Sequence, residues 1–144
     1  MQLFQCRHCS ALVFFENTRC EACGQAQGYL SGQNQMTTLQ AESDGYRATE
    51  TSGEVFQYCA NHSHDVCNWL VPAQGKESRC IACTLNETIP NLDAPGHRLK
   101  WQKIEIAKHR LVYSLVRLGL PVESKTEAPE TGLAFAFLAD DGAG

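Results

Sequence analysis

The chain lacks any apolar run approaching the roughly 20 residues that cross a bilayer as a helix, so nothing in its 144 residues reads as a membrane anchor. It also lacks a basic surplus. Lysine and arginine number 12 against 16 acidic residues, for a formal charge of −4. A nucleic-acid reader ordinarily carries a basic stripe. Here basic residues gather only over residues 98–117, mixed with Glu105 in a helical pattern. Nucleic acid is therefore the disfavoured partner. The opening Met1-Gln2-Leu3-Phe4-Gln5 has neither the basic start nor the apolar centre of a secretory leader. These absences predict a soluble protein of the cytoplasm.

Several catalytic patterns are missing too. There is no G-x4-G-K-[ST] phosphate loop, no nucleophile elbow and no paired catalytic carboxylate motif. The five histidines are His8, His62, His64, His97 and His109. None begins an H-E-x-x-H, which places two histidines on one zinc with a glutamate as base.

What is present is cysteine. Of eight, six form three C-x2-C pairs: Cys6/Cys9, Cys20/Cys23 and Cys80/Cys83. Cys59 and Cys67 lie upstream of the third pair. Two tetrads follow: Cys6, Cys9, Cys20, Cys23 and Cys59, Cys67, Cys80, Cys83. Four thiolates in pairs suit one tetrahedral Zn²⁺. Disulfides are the rival staple, but in a reducing compartment paired cysteines more often bind metal. A lone redox C-x2-C would want a βαβ context, and none is visible. Two structural zinc sites are the expectation, with the zinc ion as the only cofactor. Gly24, directly after Cys23, suits a backbone position with positive φ.

The second tetrad is the less regular. Seven residues separate Cys59 from Cys67, and His62 follows Cys59 after a two-residue gap, the spacing of a C-x2-C pair. A Cys59, His62, Cys80, Cys83 site is the alternative. Four cysteines are preferred because thiolate is the stronger structural ligand and no cysteine is spare. His8 and His64 read as surface or loop residues.

The expected fold is a small, metal-stabilised α+β chain. Two zinc-ribbon, rubredoxin-like β modules are followed by one long amphipathic helix and a terminal strand. Residues 1–30 form the first module, with a β-prone Leu12-Val13-Phe14-Phe15 between its pairs. Residues 31–53 read as a polar loop or linker, with weak strands near 37–39 and 46–49. Residues 54–96 form the second module. Residues 97–121 hold the helix, on which Trp101, Ile104, Leu111, Leu115 and Leu118 recur at helical spacing and Ala107 widens the same face. Gly119 and Pro121 are its stop signals. Residues 122–144 are a polar loop and the start of a further domain, read as truncated. Within it Leu133-Ala134-Phe135-Ala136-Phe137-Leu138 is apolar on both faces of any strand and wants cover. Trp69 and Trp101 are expected to pack the zinc module against the helix. Glu105 and His109, four apart on the helix, offer two metal ligands as the alternative but read as a surface pair.

The residues around the cysteines carry a resemblance. Phe14-Phe15-Glu16-Asn17-Thr18-Arg19-Cys20-Glu21-Ala22-Cys23-Gly24, Cys67-Asn68-Trp69-Leu70-Val71-Pro72-Ala73 and Cys80-Ile81-Ala82-Cys83-Thr84-Leu85-Asn86-Glu87-Thr88-Ile89-Pro90 are three blocks of it. Ala107-Lys108-His109-Arg110-Leu111-Val112-Tyr113-Ser114-Leu115 and Gly132-Leu133-Ala134-Phe135-Ala136-Phe137-Leu138-Ala139-Asp140 complete it. Together they resemble the N-terminal region of a bacterial zinc-ribbon family of zinc-dependent metallopeptidases. The resemblance implies a ribbon region holding metal through all eight cysteines, ahead of a longer domain with an H-E-x-x-H-like helix. That motif is absent here, so peptidase activity does not carry over. The expected role is a non-catalytic zinc-binding structural or interaction module. Its partner is a protein or a missing C-terminal domain. A stand-alone ribbon that binds protein in preference to nucleic acid, and a redox or zinc-sensing switch, are the alternatives.

Overall fold

A computed structural model of the chain describes residues 2–51 and 53–140. The ends of the first and last expected segments, residue 1 and residues 141–144, lie outside the described residues. The chain divides into two compact units, Met1–Cys80 and Ile81–Gly144. The fold class is the expected small α+β, with two antiparallel sheets, one α-helix among the described residues and a terminal strand.

The first unit begins with a minimal hairpin, β1 (Phe4–Gln5) against β2 (Leu12–Val13). A five-stranded antiparallel meander follows, made of β3 (Ala26–Leu30), β4 (Gln35–Glu42), β5 (Gly45–Ala48), β6 (Val55–Tyr58) and β7 (Leu70–Pro72) in chain order. Its first and last strands meet again. Tyr29 bridges Trp69, and the Tyr29 amide donates to the Asn68 carbonyl at 2.9 Å. Gly28 permits the approach, since a Cβ there would lie 2.7 Å from the Leu70 side chain.

This sheet corrects the reading of residues 31–53 as loop or linker: they contain β4 and β5, the second and third strands of the meander. The sheet also joins strands from both expected modules. Composition misled because β4 is polar by sequence yet buried over residues 36–39. Thr37 and Thr38 are β-branched, which suits a pleated surface, and their hydroxyls are hydrogen-bonded. On one side of the sheet Leu30, Leu39, Ala48, Phe56 and Leu70 form an apolar cluster. Phe15, Tyr29 and Trp69 form an aromatic one, with Tyr29 and Trp69 ring centres 4.7 Å apart.

The second unit contains β8 (Asn86–Thr88), α1 (His97–Arg117) and β9 (Phe135–Ala136). β8 and β9 pair in parallel. α1 ends as its sequence predicts. Gly119 has φ 69°, its amide bonds to the Val116 carbonyl, and the Leu120 amide bonds to that of Leu115. Those two bonds and the left-handed glycine are a Schellman stop.

The face that α1 buries differs from the expected one. Trp101, Glu105, Lys108, His109, Val112 and Tyr113 are buried, whereas Ile104, Ala107, Leu111 and Leu118 are exposed. The apolar period finds a real stripe but not the covered one. The covered face is partly charged, and there Lys108 pairs with Glu105 Oε1. The apolar run 133–138 forms only the short β9, with Phe137 buried and Leu138 exposed.

Candidate metal centres

The first tetrad is built from two copies of one backbone turn. In the first, the Cys6 amide donates to the Ala11 carbonyl and the Ser10 amide to that of Cys6, both at 2.8 Å. In the second, the Cys20 amide donates to the Gln25 carbonyl and the Gly24 amide to that of Cys20, again at 2.8 Å. Each turn needs a left-handed residue after its second cysteine. Gly24 supplies φ 77° at little cost, as expected, whereas Ser10 adopts φ 61° with a side chain.

The four sulfurs lie within 4.8 Å of one another. Two sulfurs on one tetrahedral zinc, each about 2.3 Å from it, stand roughly 3.8 Å apart. Cys6 and Cys23 are separated by 3.7 Å, and Cys9 and Cys20 by 3.6 Å. Zinc therefore fits the spacing already present. Behind Cys6 the sheet contributes neutral partners. The Thr38 hydroxyl lies 3.6 Å from its sulfur and Gln27 Nε2 donates to it at 3.5 Å. Thr38 also accepts from the Arg7 amide at 3.0 Å and from Gln27 at 3.2 Å.

The thiols titrate apart. Burial works to raise the Cys6 thiol, but its bonds from Thr38 and from the Cys9 and His8 amides outweigh burial and hold it at about 6. At Cys23 the Gln25 amide works the other way, yet desolvation and the neighbouring sulfurs push the thiol up to about 12. Cys9 is raised as well: the Ala11 amide favours its thiolate but is outweighed by desolvation and the sulfurs of Cys20 and Cys6. Four sulfurs this close do not all ionise unless a cation joins them.

The second tetrad, Cys59, Cys67, Cys80 and Cys83, is also gathered within 4.8 Å, and all four residues are buried. Cys67 and Cys80 sulfurs are 3.7 Å apart, the same zinc-compatible spacing. A 3-10 turn (Ala60–His64) takes up part of the long gap after Cys59. The Cys80 amide donates to the Cys59 sulfur at 3.3 Å and the Trp69 amide to the Cys67 sulfur at 3.5 Å. Such bonds offset thiolate charge. His62 stands outside the tetrad. Its ring stacks on Tyr58 at 3.9 Å, and its Nδ1 bonds to the Cys67 carbonyl at 2.7 Å. The four cysteines, and not His62, are the residues brought together. His8 is exposed, as expected. Among the described residues no disulfide joins the cysteines.

A third group brings Cys83 to Glu105 and His109, a junction not foreseen from sequence. Cys83, Glu105 and His109 also bring one ligand atom each within 4.8 Å, and all three are buried. The expectation of a surface Glu105–His109 pair is therefore overturned: their side chains are 0% and 4% exposed. The Cys83 sulfur lies 3.4 Å from His109 Nε2 and 3.8 Å from Glu105 Oε1. Glu105 Oε1 also receives Lys108 Nζ at 2.7 Å and Asn86 Nδ2 at 3.1 Å. Lys108 further donates to Asn86 Oδ1 and lies 5.7 Å from the ring centres of both Phe135 and Phe137. Desolvation works to lower His109, but the Cys83 sulfur and Glu105 raise it above its ordinary 6.5. The one sequence signal for this group was the i,i+3 and i,i+4 spacing of Glu105, Lys108 and His109, which places them on one helix face.

Comparison with known proteins agrees with this geometry. Residues 3–94 match a family of zinc-ribbon domains, and residues 97–144 match a family described as "Putative zinc-binding metallo-peptidase". Uncharacterized proteins of Mycobacterium bovis and Mycobacterium tuberculosis are similar, each 31% identical over 138 residues, or 96% of this chain. The chain spans 37% of the length of these curated relatives. No solved structure matches the chain.

Proposed function

Because the chain belongs to the zinc-ribbon domain family, we propose that it is a zinc-built structural module whose task is to dock a metallopeptidase domain rather than to hydrolyse peptides. The gathering of all eight cysteines into two tetrads carries this reading. Every zinc-compatible tetrad is saturated with sulfur, leaving no open position for a substrate or an attacking water. The H-E-x-x-H pattern that would supply an open zinc is absent from the sequence.

The docking face is the apolar stripe of α1. Ile104, Leu111 and Leu118 are 54%, 48% and 73% exposed. α1 belongs to the segment matching the metallopeptidase family, and the relatives extend well beyond the length this chain spans. A domain of that family is the occupant that both facts favour. The acidic balance disfavours nucleic acid. Among the described residues no helix is long and apolar enough to cross a membrane. We place the protein in the cytoplasm, where reduced thiols keep their metal.

Metal analysis should find two zinc ions per chain, and the loaded chain should cleave no peptide library. Zinc-dependent turnover would overturn the reading. Titration with the part of a mycobacterial relative that this chain does not span should show binding that Leu111→Glu weakens at least tenfold. Equal binding by that variant would remove the stripe from the account. Light scattering in the same experiment separates this from self-association.

One observation favours a second reading as a redox or zinc sensor: Cys9 is exposed and Cys23 half-buried. Alkylation of Cys9 in the loaded chain, with release of one zinc, would support it. Silence to the reagent until zinc is stripped would exclude it.

A further inference from the structure

We propose that His109 is a positioning residue of the second zinc centre, holding the Cys83 sulfur in place from helix α1, with Glu105 and Lys108 fixing the helix turn that carries it. The inference rests on zinc occupying the second tetrad.

The orientation of the ring is fixed by its other nitrogen. His109 Nδ1 lies 2.8 Å from the Glu105 carbonyl oxygen. A carbonyl only accepts, so Nδ1 carries a hydrogen, and the ring donates to the Cys83 thiolate from Nε2 in its doubly protonated form, the form in which both nitrogens are donors. This two-ended arrangement, one nitrogen pinned to a carbonyl and the other turned to the metal centre, orients the ligand through its surroundings.

Two rival roles are weaker on the same distances. His109 as a direct ligand would make a fifth donor, although four sulfurs already complete a tetrahedron. A separate metal held by Cys83, Glu105 and His109 meets a different obstacle. The Lys108 ammonium already sits 2.7 Å from Glu105 Oε1, with side chains 2% and 0% exposed. A second cation there would lie beside a buried ammonium, and two buried positive charges at such range repel strongly. The group is better read as a wall of the existing centre. Four thiolates on Zn²⁺ leave that centre with a net charge of about −2. Cys59 and Cys67 receive backbone amides. Cys83 receives α1.

The wall also links two parts of the chain. Cys83 lies in the segment matching the zinc-ribbon family, whereas Glu105, Lys108 and His109 lie in the segment matching the metallopeptidase family. The sulfur–imidazole contact therefore couples metal in the ribbon to the first helix of the peptidase-like segment.

The test uses the full chain. Zinc release to a chromophoric chelator should show two phases, with Cys6→Ser abolishing the first-centre phase and so assigning the other. His109→Leu should accelerate second-centre release about 10–100-fold and leave the first-centre phase unchanged. His109→Gln, which keeps an N–H donor, should recover part of the difference. In the cadmium-113 spectrum of the substituted protein, both wild-type resonances should fall in the all-sulfur range, and His109→Leu should move only one. Unchanged release and unmoved resonances in the histidine variants would overturn the proposal. So would a wild-type resonance in the mixed sulfur–nitrogen range, which would make His109 a ligand, or a third equivalent of bound metal. Should His109→Leu fail to fold, the wild-type spectrum and the His109→Gln release rate still decide. A chain that binds no metal at all would instead sink the structural-zinc reading on which this rests.

Discussion

In the first tetrad the surroundings of the sulfurs are neutral: a threonine hydroxyl, a glutamine amide and the backbone of two matching turns. In the second, Cys83 meets a buried histidine, glutamate and lysine. The regular tetrad is the more open, with Cys9 exposed, and the irregular one is wholly buried. Regular spacing reports a backbone turn that can stand alone. It says nothing about enclosure. An irregular tetrad has to be assembled by its surroundings, and at Cys83 those surroundings are charged because a cluster of thiolates inside a protein calls for compensation.

Removing metal is the strongest probe of this contrast. Structural zinc contributes on the order of 10–16 kcal/mol in small fingers, as much as the whole stability of an ordinary domain, about 5–15 kcal/mol. A chelator should take the first-centre zinc sooner, through the exposed Cys9 edge. Loss of both should abolish the near-UV circular dichroism of the Trp69 cluster and unfold residues 1–90. Release in the opposite order, or a chelated chain with an intact near-UV spectrum, would break the comparison.

The charged wall should give the next largest effect. Lys108→Met leaves Glu105 buried without its ammonium, and breaking such a pair costs roughly 3–5 kcal/mol. Denaturant unfolding of the zinc-loaded protein measures it. A loss below 1 kcal/mol would mean that the buried charges contribute no more than a surface pair.

The neutral surroundings should be cheaper to disturb. Thr38→Val removes the acceptor of the Arg7 amide and of Gln27 Nε2. An orphaned buried donor costs about 1–3 kcal/mol. Chelator release should quicken at the first centre alone, and an equal change at both would show that the centres are not independent.

The smallest effect concerns the two matching turns. Ser10→Gly relieves a left-handed serine and should add about 0.5–1 kcal/mol, while Gly24→Ala should lose a similar amount. Thermal unfolding of the two variants should move in opposite directions. Shifts of the same sign would mean that the turns are not equivalent.

Much of this was legible from sequence, unevenly. The first tetrad, its positive-φ Gly24 and the helix stop at Gly119 all depend on residues close together in the chain, where spacing dictates geometry. The second tetrad was reachable by elimination, once six paired cysteines left Cys59 and Cys67. Strand β4 was underestimated because Thr37 and Thr38 count as polar, although their side chains are buried and hydrogen-bonded. The buried face of α1 was misread for a related reason. Apolar period alone marks Ile104, Leu111 and Leu118 as the inner face. Burial of Glu105, Lys108 and His109 depends on a cysteine more than 20 residues away in sequence, which no helical period reports.

The return of β7 to β3 bears on how this protein meets others. A small antiparallel sheet with two bare margins invites a foreign strand to add itself, the route by which many small β proteins aggregate. The Tyr29–Trp69 bridge closes part of both margins upon each other. Recruitment by strand addition is hindered there, so encounters are left to side-chain surfaces, where a single substitution can tune who binds.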